Sequence, residues 1–212
     1  QTISIQPGIY QLQPVNVPAG LSNITIQGAS ANRDDVVLRG NGMAGSVAFG
    51  LKVTQLSNSV VKHLTIQDVS QHAIIGDRLT NVTFDNVKLQ NTGDQLIKIN
   101  PDGAGNSGVK MQNSLLEYST IAPDSYTNGV DWHACANCEV RGSVFRNIRS
   151  NAGLAGPAIL VWNGSHGTII EGNTLIDNQR DISMGLMVKS GAIPDHRGGR
   201  VSSNVITRSD SL

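Results

Sequence analysis

A pair of apolar residues five positions apart recurs six times along this chain. The first members are Val61, Phe84, Met111, Val140, Ile170 and Val201. The second members are Ile66, Leu89, Leu116, Phe145, Leu175 and Ile206. Successive first members are separated by 23, 27, 29, 30 and 31 residues, and Ile26 reads as an earlier member of the series. A polar corner lies between the members of each pair, as in Arg141-Gly142-Ser143, Glu171-Gly172-Asn173 and Ser202-Ser203-Asn204. Asn and Gly suit a sharp bend because they tolerate positive φ. A third apolar strand follows 12 to 19 residues after each of the first five of these first members: at Ile74, Leu96, Val130, Ile159 and Ile182. Three short strands per repeat, with no helix between them, predict an all-β right-handed parallel β-helix of about seven turns.

The alternatives fit less well. A β-sandwich also has many short strands, but it does not require a fixed pair with drifting spacing elsewhere. The drift places loops of variable length at one corner, where binding loops are expected. The Leu-x-x-Leu-x-Leu pattern of leucine-rich repeats is absent. Aromatics are only 4% of the chain, Gly is 23 of 212 residues, and no segment has the 3.6-residue period of an amphipathic helix.

Charge narrows the partners. Lys plus Arg and Asp plus Glu are 16 each, which argues against nucleic acid and against an anionic membrane. No apolar run approaches the roughly 18 residues of a membrane-spanning helix. Cys135 and Cys138 form one C-x-x-C without two further ligands at zinc spacing, so a local disulfide or two free thiols is expected.

The N-terminal text supports the repeat. Ile3 to Tyr10 contains Pro7-Gly8-Ile9-Tyr10; Val17 to Gly20 follows, then Asn23-Ile24-Thr25-Ile26-Gln27-Gly28 and Val36-Val37-Leu38-Arg39-Gly40. This order resembles the first turns of pectate-lyase-like proteins, which implies their fold over nearly the whole chain and an activity on polysaccharide. A single domain over residues 1–212 is expected, as a whole protein or as part of a longer one. Neither end carries a visible cap, so pairing between copies through the ends is an expected partner mode. A secreted or periplasmic location is expected. Asn23, Asn81 and Asn163 stand in glycosylation sequons.

Strand alternation assigns faces. With Ile97, Val130, Ile159 and Ile182 aligned and inward, Ile99, Trp132, Val161 and Met184 are also inward. Lys98 and Asn100, Asp131 and His133, Leu160 and Trp162, and Ser183 and Gly185 then share one exposed face, about 5 Å apart per turn. Such a face suits a sugar acid. His133 is placed to act as general base, Lys98 to stabilise a developing carboxylate dianion, and Trp162 to stack on a pyranose ring. Asp131 is placed to act on the imidazole or to hold calcium. Asn100 to Ser107 is a second calcium candidate, although no cofactor is required.

Asn128-Gly129-Val130-Asp131-Trp132-His133-Ala134 resembles the Tyr-Gly-Phe-Asp-Pro-His-Asp motif of mannuronan C5-epimerases, which are also right-handed β-helices. By that resemblance, Asp131 and His133 take part in proton transfer and substrate binding. Asn128, Trp132 and Ala134 depart from the motif and remove a Tyr and an Asp. The chain also resembles β-helical alginate and chondroitin lyases, which use a Lys and an Arg. Lys98 matches the first, and Arg180 or Arg197 the second. The expectation is therefore a polysaccharide lyase acting on a uronate-containing polymer by C5 proton abstraction and β-elimination. The rivals are a C5-epimerase, a glycoside hydrolase, a non-catalytic glycan-binding module and a structural tailspike- or adhesin-like β-helix.

Overall fold

The computed structural model describes residues 1–187 and 195–209. Among them every regular element is a strand, and the strands pair in parallel. The chain winds as a right-handed parallel β-helix. One wall is a seven-stranded sheet. In spatial order it runs Val15–Val17, Phe49–Thr54, His72–Asp77, Ile97–Asn100, Val130–His133, Ile159–Trp162 and Ile182–Met184. The other two walls belong to a sheet that bends at the polar corner of each turn.

The five-residue pair is the register of these two walls. Ile26, Val61, Phe84, Met111, Val140, Ile170 and Val201 lie opposite one another in one row. Leu38, Ile66, Leu89, Leu116, Phe145, Leu175 and Ile206 form the second row. Most of both rows is fully buried; at the ends of the described rows, Ile3, which pairs with Ile26, and Ile206 are about half exposed.

The corner explains why the offset is five. The residue two after each first member has positive φ: His63, Asn86, Asn113, Gly142, Gly172 and Ser203. One left-handed residue between two extended segments turns the chain sharply without breaking the ladder. Its successor then points inward and is tied to the next turn. Val87 N donates to Ser114 Oγ at 3.1 Å, Ser114 N to Ser143 Oγ at 3.1 Å, Ser143 N to Asn173 Oδ1 at 3.0 Å, and Asn173 N to Asn204 Oδ1 at 2.9 Å. A buried N–H left unpaired at a bend costs about 1–3 kcal/mol, so this side-chain stack stabilises the corner where the backbone ladder cannot.

Cys135 and Cys138 are joined as a disulfide and are fully buried, which settles the C-x-x-C as a local clamp after the strand that bears His133. The bridged residues are only 3 apart, and a ring that small removes little entropy from the unfolded chain. Reduction is expected to lower the unfolding free energy by about 2 kcal/mol, or roughly 4–8 °C in melting temperature for a chain of this size. Thermal melts with and without a thiol reductant measure it. A collapse of the fold on reduction would contradict this assignment.

Candidate active site

The outer side of the seven-stranded sheet carries a cleft of about 590 Å³. Its floor is formed by the outward residues of three consecutive strands: Lys98 and Asn100, Asp131 and His133, Leu160 and Trp162. The inward residues Ile97, Ile99, Val130, Trp132, Ile159 and Val161 are in the core, so the alternation read from the sequence holds. The expected exposure does not. Asp131 is 3% exposed, His133 6% and Trp162 8%. Their neighbours on the floor pack against one another, and long loops supply Tyr126, Gly156 and Pro157 as walls. The face is a sheltered floor rather than an open surface.

Two features of the chain shape this floor. Gly129 allows the turns to approach closely: a Cβ there would lie 2.4 Å from Ala158 O and 2.8 Å from the Phe145 ring. The glycine of the local motif is thus a packing requirement of the stack. Tyr118 anchors the loop that follows it. Its buried hydroxyl lies 2.5 Å from Thr127 Oγ1, 2.8 Å from Asp94 O and 3.0 Å from Thr92 O. Burial pushes that phenol up to about 12. Tyr126, one residue before Thr127, is thereby held at the rim.

Asp131 is the electrostatic centre. Its Oδ2 accepts from Lys98 Nζ at 3.1 Å, and its Oδ1 accepts from Trp162 Nε1 at 2.9 Å. His133 Nε2 lies 3.3 Å from the same Oδ1, close enough for an ion pair but not aligned as a hydrogen bond. Burial pushes the Asp131 carboxyl up, but His133, Lys98 and the Trp162 N–H together outweigh it and hold the group at about 2. Burial likewise pulls Lys98 down, and Asp131 with the Tyr126 hydroxyl outweighs it, so the ammonium is held above its ordinary value. Lys98 and Asp131 are both charged at neutral pH.

His133 is packed on Trp162, with ring centroids 4.7 Å apart and planes tilted by 49°. Its Nδ1 lies 3.2 Å from Asn163 Nδ2. With that amide donating, Nδ1 is the accepting nitrogen and Nε2 faces Asp131. Trp162 therefore lines the cleft, but its indole is committed to His133 and Asp131 and offers little open ring to a sugar. Beneath the floor, burial pulls His72 down to about 4. Its Nδ1 lies 3.2 Å from Gln95 O, and it is neutral.

The remaining candidates divide. Asn100 and Arg180 line the cleft, and Arg180 is held by its Nε donating to Ala155 O at 2.7 Å. Arg197 does not line it. It lies exposed in the strand His196–Arg197, paired with His166 in the other sheet, because its turn enters that wall and not the seven-stranded one. In the two calcium candidates the polar side chains already face other groups of the chain. Both Asp131 oxygens face cationic or N–H groups. Asp102, the carboxylate of the Asn100 to Ser107 segment, is 3.7 Å from Arg78 Nε. Asn106 turns its amide to Asn100 O, His133 O and Leu79 N.

Two residues whose side chains contact the proposed site residues were not assigned to the cleft from the sequence. One is Asn163, read there only as part of a sequon. The other is Tyr126, whose hydroxyl accepts from Lys98 Nζ at 2.7 Å. Asn128, at the motif position where the epimerases have Tyr, forms part of the wall and donates to Pro157 O at 2.8 Å. A tyrosine two positions upstream of that gap was the available signal.

No protein-family model matches the chain, and no curated protein matches it in sequence. Solved structures do match its coordinates. Escherichia coli YbhC is 13% identical with a TM-score of 0.55, over 97% of this chain and 77% of that one. An alginate lyase from Paenibacillus sp. str. FPU-7 is 14% identical with a TM-score of 0.52, over 97% and 88%. A pectin methylesterase from Yersinia enterocolitica is 14% identical with a TM-score of 0.50, over 97% and 85%. What these structures share with this chain is the right-handed parallel β-helix. At these identities the likeness reaches the fold and stops there.

Proposed function

We propose that this chain is a polysaccharide lyase that acts on a uronate-containing polymer by C5 proton abstraction and β-elimination. The observation that carries the reading is the pairing of Lys98 with both Tyr126 and Asp131 beside His133 in one cleft. Lys98 and Arg180 outnumber the single carboxylate, Asp131, among the described residues that line it, so the cleft favours an acidic glycan. The presence of an alginate lyase among the structural neighbours is consistent with that class of substrate. Hydrolysis of a glycosidic bond by the usual route needs two carboxyl groups flanking it, and here the one carboxylate is already held by Lys98 and Trp162.

In the proposed reaction, Arg180 and Lys98 neutralise the uronate carboxylate and so acidify the C5 proton. His133 takes that proton on Nδ1, once the substrate displaces the Asn163 amide, and Asp131 compensates the imidazolium that forms. The C5–H electrons become the C4–C5 double bond as the C4–O bond breaks. Tyr126 gives its proton to the departing oxygen, and the neighbouring ammonium compensates the phenolate until solvent reprotonates it.

A second reading has its own support. Both ring nitrogens of His133 face partners in the free protein, as they would in a cleft that only binds glycan. One assay separates the two. Incubation with alginate, pectate and chondroitin is expected to raise the ultraviolet absorbance of an unsaturated uronate. Tyr126→Phe is expected to lower the rate about a hundredfold, with no change in melting temperature. Binding without absorbance, and without solvent-deuterium incorporation at C5, would leave the binding module.

A further inference from the structure

We propose that a second cleft, on the far side of the loop wall, is a remote subsite for an anionic group of the same acidic glycan, with Arg149 as its ligand. This rests on the polysaccharide reading above. The cleft encloses about 470 Å³, and among the described residues no carboxylate lines it. Residues 149–151 and 178–179 face this cleft, while Gly156, Pro157 and Arg180 face the main one. Gln179 and Arg180 are consecutive, with α-carbons about 3.8 Å apart, so the two clefts share one thin wall.

Arg149 differs from its surroundings. The backbone that carries it is held on three sides. Ile148 N donates to Asn178 Oδ1 at 3.0 Å, Ala122 N donates to Arg149 O at 3.0 Å, and Ser150 N donates to Gln179 Oε1 at 3.2 Å. The guanidinium itself has no hydrogen-bond or ion-pair partner among the described residues. Across the cleft, Arg208 is already paired with the Asp181 carboxylate. Arg149, half-buried on a rigidly held backbone, is therefore uncommitted among the described residues. Its planar fork of donors matches a carboxylate or sulfate in two parallel hydrogen bonds. A single sugar acid is satisfied by Arg180 and Lys98 alone. A polymer with a charge on successive sugars reaches over the shared wall and meets Arg149 as well.

The test is calorimetric titration of the His133→Ala chain, which cannot turn substrate over, with uronate oligosaccharides from disaccharide to octasaccharide. Affinity is expected to rise with length. Adding Arg149→Ala is expected to weaken the longest oligosaccharides about tenfold and to leave the disaccharide within about twofold; Arg149→Lys recovers part of the loss. Equal affinity with and without Arg149 at every length overturns the subsite. So does an equal loss at every length, which would place Arg149 in the main cleft or in the fold. If no acidic oligosaccharide binds at all, the polysaccharide reading falls and the subsite falls with it.

Discussion

Replacing Asp131 by alanine is expected to lower the unfolding free energy by about 3–5 kcal/mol, the range for removing one partner of a buried ion pair. The reason lies in what is left behind. The Lys98 side chain is only 13% exposed and would keep its charge without its carboxylate, while Trp162 Nε1 would lose its acceptor. Asp131→Asn is expected to cost less, since an amide oxygen still accepts from the indole. Urea unfolding at pH 7 measures both. If both variants unfold at the wild-type midpoint, Asp131 is not the hub of the floor.

The same carboxylate sets an acid limit. Its folded value of about 2 lies below the ordinary 3.8, so its contribution is fully present above pH 3.8 and is lost as pH falls through about 2. The shift corresponds to roughly 2 kcal/mol. Wild-type stability is therefore expected to fall more steeply than that of Asp131→Asn across this window. On the proposed reaction, Asp131→Ala also lowers turnover by roughly 10³–10⁴-fold, as expected when an imidazole loses the acid that orients it.

Trp132→Ala is the second large effect, at about 3–5 kcal/mol. Trp132 is fully buried and lies in register between Ile99 and Val161. It occupies the core behind the two site residues that flank it on the strand. Its Nε1 has no hydrogen-bond partner among the described residues, so Trp132→Phe removes an unsatisfied polar group along with some volume and is expected to cost no more than about 1–2 kcal/mol. In the resembled motif this position is Pro. A proline lacks the N–H that a central strand needs, and here the strand Val130–His133 is paired on both sides. Differential scanning calorimetry of the two variants reads the contrast. Equal losses would mean that the ring's volume matters little.

The site was partly legible in the chain, and the division follows sequence distance. Lys98, Asp131, His133 and Trp162 were found together because each is an outward residue on an aligned strand. Arg197 was misplaced because composition does not say which wall a polar segment enters. Tyr126 and the place of Asn163 in the cleft were missed because both stand in loops and turns, where no period applies. Their contacts link residues about 30 positions apart, through loops whose lengths vary from turn to turn.

The sequence by itself determined the β-helix, its two apolar rows and the identity of its inward and outward residues. Those features repeat locally: alternation has a period of two, and the corner needs one left-handed residue at a constant place. The tertiary structure alone decided that the outward face is a sheltered floor, that Lys98 joins Tyr126 to Asp131, and that the Cys135–Cys138 pair is closed. Those outcomes depend on how far each loop reaches over the neighbouring turn, and that is a matter of packing between turns rather than of pattern within one.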